Sequence, residues 1–353
     1  MSARGDRLAE LVAERELDRL LVTDLVNVRW LTGFTGTNGA CLVGRDERLF
    51  FTDFRYVERA AGEVREFERV EVGRNLLREA ARRLRGRAGF DDAQVSVRTH
   101  GLLGEKAPEG VELVPAGGLV ERLRERKDEG ELRAMRAAAE IADSAYALVR
   151  ERGLAGRTER EVGLEMVRHM EDQGAEGPSF PPIVAAGPNG ALPHAEPRDV
   201  EIPAGTLVVV DAGARVDGYC SDCTRTFATG PLDDGPLEVY ELVGRAQREA
   251  LAAARPGTAR NEVDGVARGI IDAAGHGERF GHGLGHGVGL EIHEEPRLTR
   301  TAEGELSSGN TVTIEPGVYL PGSFGVRIED LVAVGEDGPE VLTGFPKELV
   351  TVG

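Results

Sequence analysis

The chain has 353 residues, 41% hydrophobic and 5% aromatic, a length that predicts two domains and an apolar share that excludes disorder. Acidic residues number 61 against 43 basic ones, and the net charge of −18 excludes nucleic acid as a partner, because that field repels phosphate. No apolar run approaches the roughly 18 residues of a membrane span, and the opening MSARGDRLAE has no apolar leader, so a cytoplasmic protein without membrane partners is expected.

Leu8, Leu11 and Val12 make a helical stripe, and the apolar run Leu20–Val22 reads as a buried strand. Val26–Leu31, Ala40–Val43 and Leu49–Phe51 are predicted as further short strands between glycine-rich turns. After a stretch rich in Gly, Arg and Asp, the residues Leu132, Met135, Ala139, Ala142 and Val149 recur at helical spacing. A long helix over Asp128–Arg152 therefore opens a second domain, which divides the chain into residues 1–124 and 125–353. Thr158 and Glu161 form a capping box ahead of Val162, Met166 and Met170. Pro236–Arg255 is predicted helical, and Asn261 is predicted to cap a helix that ends at Gly275. Strands are predicted at Thr206–Val210, Tyr219–Phe227, Gly285–Ile292, Thr311–Glu315 and Val326–Val334, so this half is α+β. Residues 206–213 (TLVVVDAG) echo 311–317 (TVTIEPG). Each run ends an apolar strand on a carboxylate, and a second carboxylate follows, Asp222 and Glu329.

Asp211 and Asp222 sit on a hairpin that turns at Asp217-Gly218. A two-residue loop there places Asp211 opposite Thr224, with Asp222 two residues away on the same face. Two carboxylates side by side on an apolar hairpin require cations or protons. Five of seven histidines lie between His194 and His293, and three of them fall in the segment Phe280–Pro296 (FGHGLGHGVGLEIHEEP). The glycines let something approach the backbone closely, and His282 and His286 share a face if the segment is extended. The absence of a P-loop pattern argues against a phosphate cradle. Glu315 ends one apolar strand, and alternation places Arg327 and Glu329 on one face of another. Four carboxylates and one imidazole neutralise two divalent cations. That donor set suits Mn²⁺ best, then Co²⁺ or Zn²⁺, and a metal pair is hydrolytic equipment. Cys220-Ser-Asp-Cys223 invites a redox reading, but residues three apart on a strand face opposite ways, so packing is the expected role. The remaining cysteine, Cys41, leaves too few for a disulfide framework.

The ordered set Asp211, Asp222, His286, Glu315 and Glu329 resembles the dinuclear centre of the pita-bread metallopeptidases, and within them the Xaa-Pro aminopeptidases and Xaa-Pro dipeptidases (prolidases). The motifs VVDAG, GYCSDCTRTF, GHGLGHGVGLEIHEEP, TIEPGVY and GVRIEDLV carry the likeness in the second half. NVRWLTGFTGTNG and FTDFRYVE resemble a creatinase-like N-terminal domain. The resemblance implies a smaller α/β N-terminal domain before a pita-bread catalytic domain, a substrate with proline second, and a homodimer. It also implies that Asp222 and Glu329 bridge two metals, that Asp211 holds one, and that His286 and Glu315 hold the other. The likeness further implies that a metal-bridging hydroxide would attack the carbonyl, with Glu315 managing its proton. By the same likeness His194, His282 and His293 bind substrate and stabilise the tetrahedral intermediate, Arg327 orients Glu329, and Arg297 anchors a dipeptide's carboxylate. A methionine aminopeptidase shares the five ligands, but the extra N-terminal domain and Arg327 argue against it. Complete ligation argues against metal-free creatinase-like hydrolysis; a non-catalytic peptide-binding module is the remaining alternative.

Overall fold

The computed structural model describes residues 4–73 and 75–353. Internal contacts divide the chain into two units, Met1–Arg124 and Glu125–Gly353. In the first, six strands form one sheet: β1 (Arg19–Val22), β2 (Gly39–Gly44), β3 (Arg48–Asp53), β4 (Glu68–Val72), β5 (Arg87–Phe90) and β6 (Glu112–Pro115). Their spatial order is β4-β3-β2-β1-β5-β6, antiparallel among β1, β2 and β3 and parallel outside them. The apolar runs predicted as strands are β1, β2 and β3, and they are buried. Val26–Leu31 is different: it belongs to a helix, Leu25–Thr32. Asp24 caps the helix by accepting the Asn27 N–H, and Gly33, with a φ of 79°, ends it in the left-handed region. Two local caps outweigh the strand preference of Val26 and Val28.

The second unit opens with the helix Glu129–Arg152, whose capping box pairs Asp128 with Glu131. Its strands are β7 (Gly177–Pro178), β8 (Ile183–Ala186), β9 (Leu207–Asp211), β10 (Ala214–Val216), β11 (Tyr219–Cys220), β12 (Thr224–Ala228), β13 (Gly285–Gly287), β14 (Glu294–Leu298), β15 (Thr311–Ile314), β16 (Gly317–Leu320), β17 (Phe324–Arg327), β18 (Asp330–Gly335) and β19 (Gly338–Val341). The helix Glu129–Arg152 and its partner Glu159–Asp172 cover β8, β9 and β12 through Tyr146, Met166, Val208 and Phe227. A second helix pair, Asp234–Ala253 and Arg260–Ala273, packs Val243 and Ile271 with Val312, Ile314 and Val332 of β15 and β18. The echoed segments are thus the central strands of two helix-covered sheets.

Helix ends depart slightly from expectation. Asp234 begins its helix two residues before Pro236, which falls in the first turn where its missing N–H costs nothing. Ala259, not Asn261, holds the N-cap position of the next helix, without a side-chain bond.

The predicted hairpin register is present: Asp211 pairs with Thr224 and Val216 with Tyr219, around Asp217 and Gly218 at φ 49° and 82°. Three long predicted strands are instead interrupted. Gly285–Ile292 shortens to β13, Tyr219–Phe227 breaks at residues 221–223, and Val326–Val334 breaks at 328–329. The last two breaks carry Asp222 and Glu329. There the two sheets join, because the Glu329 N–H donates to Thr224 O at 3.1 Å and the Arg327 N–H to Thr226 Oγ1 at 3.2 Å. Among the described residues no helix is long and apolar enough to cross a membrane.

Candidate metal centre

Strand ends and strand breaks converge on one cavity of about 360 Å³ in the second unit. All ten residues singled out in the sequence line it: His194, Asp211, Asp222, His282, His286, His293, Arg297, Glu315, Arg327 and Glu329. Phe180, Ile183, Pro193 and Ile292 add apolar walls. Asp222, His286 and Glu329 are buried and present ligand atoms all within 4.8 Å of one another, a group that could hold a metal ion. His286 Nδ1 lies 3.0 Å from Gly287 O, which turns Nε2 toward the carboxylates. That nitrogen stands 3.3 Å from Glu315 Oε1 and 3.6 Å from Asp222 Oδ2. Thr313, two residues before Glu315 on the same strand face, donates to Glu315 Oε1 at 3.0 Å and accepts the His286 N–H at 3.0 Å.

Charge compensation is uneven. Burial pushes the Asp222 carboxyl well above its ordinary range, and the charges of Glu329, Asp211 and Glu315 push it further. Glu329 is raised well up for the same reasons, burial first and then Glu315 and Asp211. Burial also raises Asp211, against the opposing charge of Arg327. Glu315 goes the other way: burial alone would raise it, but the hydrogen bond and charge of His286 bring it down to about 2. Asp211 Oδ1 is buried with no hydrogen-bond partner. An orphaned carboxylate oxygen and two carboxyls starved of positive charge are what divalent cations would complete, and the oxygen-rich, single-imidazole set fits them.

Arg327 does not touch Glu329, contrary to expectation. Its Nη2 donates to Asp211 Oδ2 at 2.6 Å and its Nε to Thr224 Oγ1 at 2.9 Å. The Thr224 hydroxyl in turn donates to Glu329 Oε2 at 2.6 Å. Both side chains line the cavity, as alternation assigns, but a threonine of β12 stands between guanidinium and carboxylate. Arg327 Nη1 donates to Pro193 O at 3.0 Å, beside His194, and to the Tyr319 hydroxyl at 2.9 Å. Tyr319 also meets His282 Nε2 at 3.1 Å. Sequence reasoning missed both Thr224 and Tyr319. Thr224 was findable as the cross-strand partner of Asp211; Tyr319 gave no signal.

Two of the other imidazoles, His282 and His293, are tuned toward neutrality. Burial lowers His282 below the ordinary histidine value, with Glu315 partly opposing. His293, on a loop, is lowered by partial burial and by His286 and Arg297; its ring centroid lies 4.4 Å from that of His286. Arg297 is an exposed residue of β14 on the cavity wall. Cys220 and Cys223 are free and buried in different cores, and neither lines the cavity.

The model of metallopeptidase family M24 matches residues 133–336, and that of the creatinase/prolidase N-terminal domain matches residues 4–126. The chain is 35% identical over 362 residues to the Xaa-Pro dipeptidase of Pyrococcus furiosus, covering 99% of this chain and 100% of that protein. Its structure is similar to the Xaa-Pro dipeptidase from Bacillus anthracis, with a TM-score of 0.96, 38% identity and 99% of each chain covered. It is also similar to the X-Pro aminopeptidase from Thermotoga maritima, with a TM-score of 0.88, 33% identity and coverage of 98% of this chain and 100% of that one. Creatinase-like and pita-bread domains follow each other, as the sequence motifs imply. The chain belongs to metallopeptidase family M24 and is a peptidase of the kind that implies divalent metal ions.

Proposed function

We propose that this chain hydrolyses the bond between an N-terminal residue and proline, accepting Xaa-Pro dipeptides and short Xaa-Pro-Yaa peptides. The observation that supports this most directly is the cluster of Asp211, Asp222, His286, Glu315 and Glu329 in a cavity that also holds three further imidazoles and Arg297. In this reading Asp222 and Glu329 would be shared between two divalent ions, with Asp211 helping to hold one and His286 and Glu315 the other. Manganese suits the donor set best, with cobalt or zinc as substitutes. Metals held there would supply a nucleophile from water at neutral pH and a Lewis acid for the carbonyl. Glu315, ionised at neutral pH, accepts the proton of the attacking water and passes it to the proline nitrogen, which cannot leave unprotonated. His293, held neutral, donates a hydrogen bond toward the developing oxyanion; His282, whose Nδ1–H donates to Gly283 O at 2.8 Å, offers Nε2 as an acceptor beside the Tyr319 hydroxyl on the substrate side, and His194 and His293 line the substrate. The guanidinium of Arg297 takes the C-terminal carboxylate of a dipeptide. The chemistry thus resides in a domain spanning residues 125–353, with residues 1–124 as the N-terminal domain.

The test is kcat/KM of the manganese-loaded protein on Ala-Pro, Ala-Pro-Ala and Met-Ala, for wild type and Arg297→Ala. Both proline peptides are cleaved and Met-Ala is not, and the substitution slows Ala-Pro selectively. Preference for Met-Ala would favour the methionine aminopeptidase alternative. Equal slowing of both proline peptides would make Arg297 structural.

A further inference from the structure

One buried charge pair lies outside the metal cluster yet next to a residue of the cavity. Lys127 Nζ stands 3.1 Å from Glu294 Oε2, with the two side chains 1% and 6% exposed. Lys127 directly precedes the N-cap of the helix Glu129–Arg152, and its own N–H donates to Gly309 O at 2.7 Å. Glu294 begins β14 and directly follows His293. Its second oxygen, Oε1, accepts the Glu291 N–H at 3.0 Å. The Glu291 carbonyl accepts the Gly289 N–H at 3.0 Å, and Gly289 O accepts the Cys220 N–H at 2.8 Å. The carboxylate sits so close to this turn that a Cβ on Gly289 would stand 2.6 Å from Glu294 Oε2. One ion pair therefore ties residues 289–293 to the start of a long helix. Only 3 of the chain's 43 basic residues are lysines, so a compact ammonium at this enclosed position departs from its habit of using arginine.

A buried ion pair gives little net stability against apolar replacements, so stability is a weak reason for it. Among the described residues the His293 imidazole makes no hydrogen bond, and its place in the cavity follows from the backbone of its loop. We propose that Lys127 and Glu294 are positioning residues that set where His293 meets substrate, an inference that rests on the substrate role proposed for His293.

The test is a double-mutant cycle. The pair is replaced together, as Lys127→Met with Glu294→Gln, in wild type and in a His293→Ala background. Activity on Ala-Pro, metal content and amide exchange of residues 289–293 without substrate are then measured. In wild type the replacement lowers kcat/KM by about 10- to 100-fold, the scale of a misplacement of about an ångström, with metal content unchanged. In the His293→Ala background it adds no further loss, and in both backgrounds the Glu291 amide exchanges faster. Lys127→Arg keeps the charge and gives a smaller loss that also vanishes without His293, which covers the case in which the paired variant does not fold. Equal losses in both backgrounds, or unchanged amide exchange, would overturn the proposal. If wild type fails to cleave Ala-Pro, the functional reading falls, and amide exchange still decides whether the pair fixes the loop.

Discussion

Glu329 and Asp330 are neighbours, both buried, and their surroundings are electrostatic opposites. Asp330 is complete: Oδ1 accepts from Arg225 Nη2 at 2.9 Å and Thr343 Oγ1 at 3.1 Å, while Oδ2 accepts from Gln247 Nε2 at 2.8 Å and from Lys347. Burial alone would raise it, but Arg225 and Lys347 hold it below the ordinary carboxylate range. Glu329 faces Asp222, Glu315 and Asp211 and is pushed well above that range, with one threonine hydroxyl bonded to its carboxylate. The protein neutralises the rear carboxylate with its own cations and leaves the front ones short of positive charge. Buried acid by itself does not indicate a metal site; buried acid without a protein cation does. The two faces are also joined, since Arg225 donates to the Glu329 carbonyl as well as to Asp330.

The largest test of this contrast is Glu329→Ala. Removing a shared ligand is expected to lower the metal content and to cost about 10³-fold or more in kcat, equivalent to several kcal/mol of transition-state stabilisation. Elemental analysis beside turnover checks it, and full metal occupancy would break the contrast. Asp330→Asn tests the rear face. It leaves Arg225 and Lys347 without their carboxylate and should cost about 3–5 kcal/mol in denaturant unfolding, with metal stoichiometry kept. Metal loss on the same scale as in Glu329→Ala would mean that the faces are not separable.

The two faces should also respond to pH with opposite signs. In metal-free protein the raised carboxyls of Asp222 and Glu329 contribute stability that is full below the ordinary carboxylate pKa and lost as pH rises through their folded values. Asp330, with a lowered pKa, contributes stability above the ordinary value that is lost as pH falls through its folded one. The Tm gain on adding Mn²⁺ should therefore grow from pH 5 to pH 8, as thermal melts of paired samples would show; a gain that shrinks would refute this electrostatic picture. The smallest expected effect is that of Thr224→Val, which keeps the shape and removes the hydroxyl between Arg327 and Glu329. A loss of about 1–3 kcal/mol in stability is expected, together with weaker metal retention on dialysis. Unchanged retention would show that the threonine does not orient Glu329.

Much of this was legible in the chain itself. The capping box at Thr158, the hairpin register around Asp217-Gly218 and the two-sheet echo follow from short-range rules, and those rules are local in the structure too. Residue types, motif order and the family resemblance together singled out ten side chains that line one cavity. Local reading failed at Leu25–Thr32, where two caps overrode β-branched residues. It failed again wherever partners lie far apart in sequence. The Arg327–Asp211 bond spans 116 positions, the Thr224–Glu329 bond 105 and the Lys127–Glu294 pair 167. Periodicity says which face a side chain occupies on its own strand, but not which group of another strand stands beside it there, as Thr224 does between Arg327 and Glu329. Which carboxylate receives a guanidinium, which an ammonium and which neither is settled only when separate sheets and helices pack together, because an ion pair inside a protein depends on contact geometry and burial that no stretch of chain contains by itself.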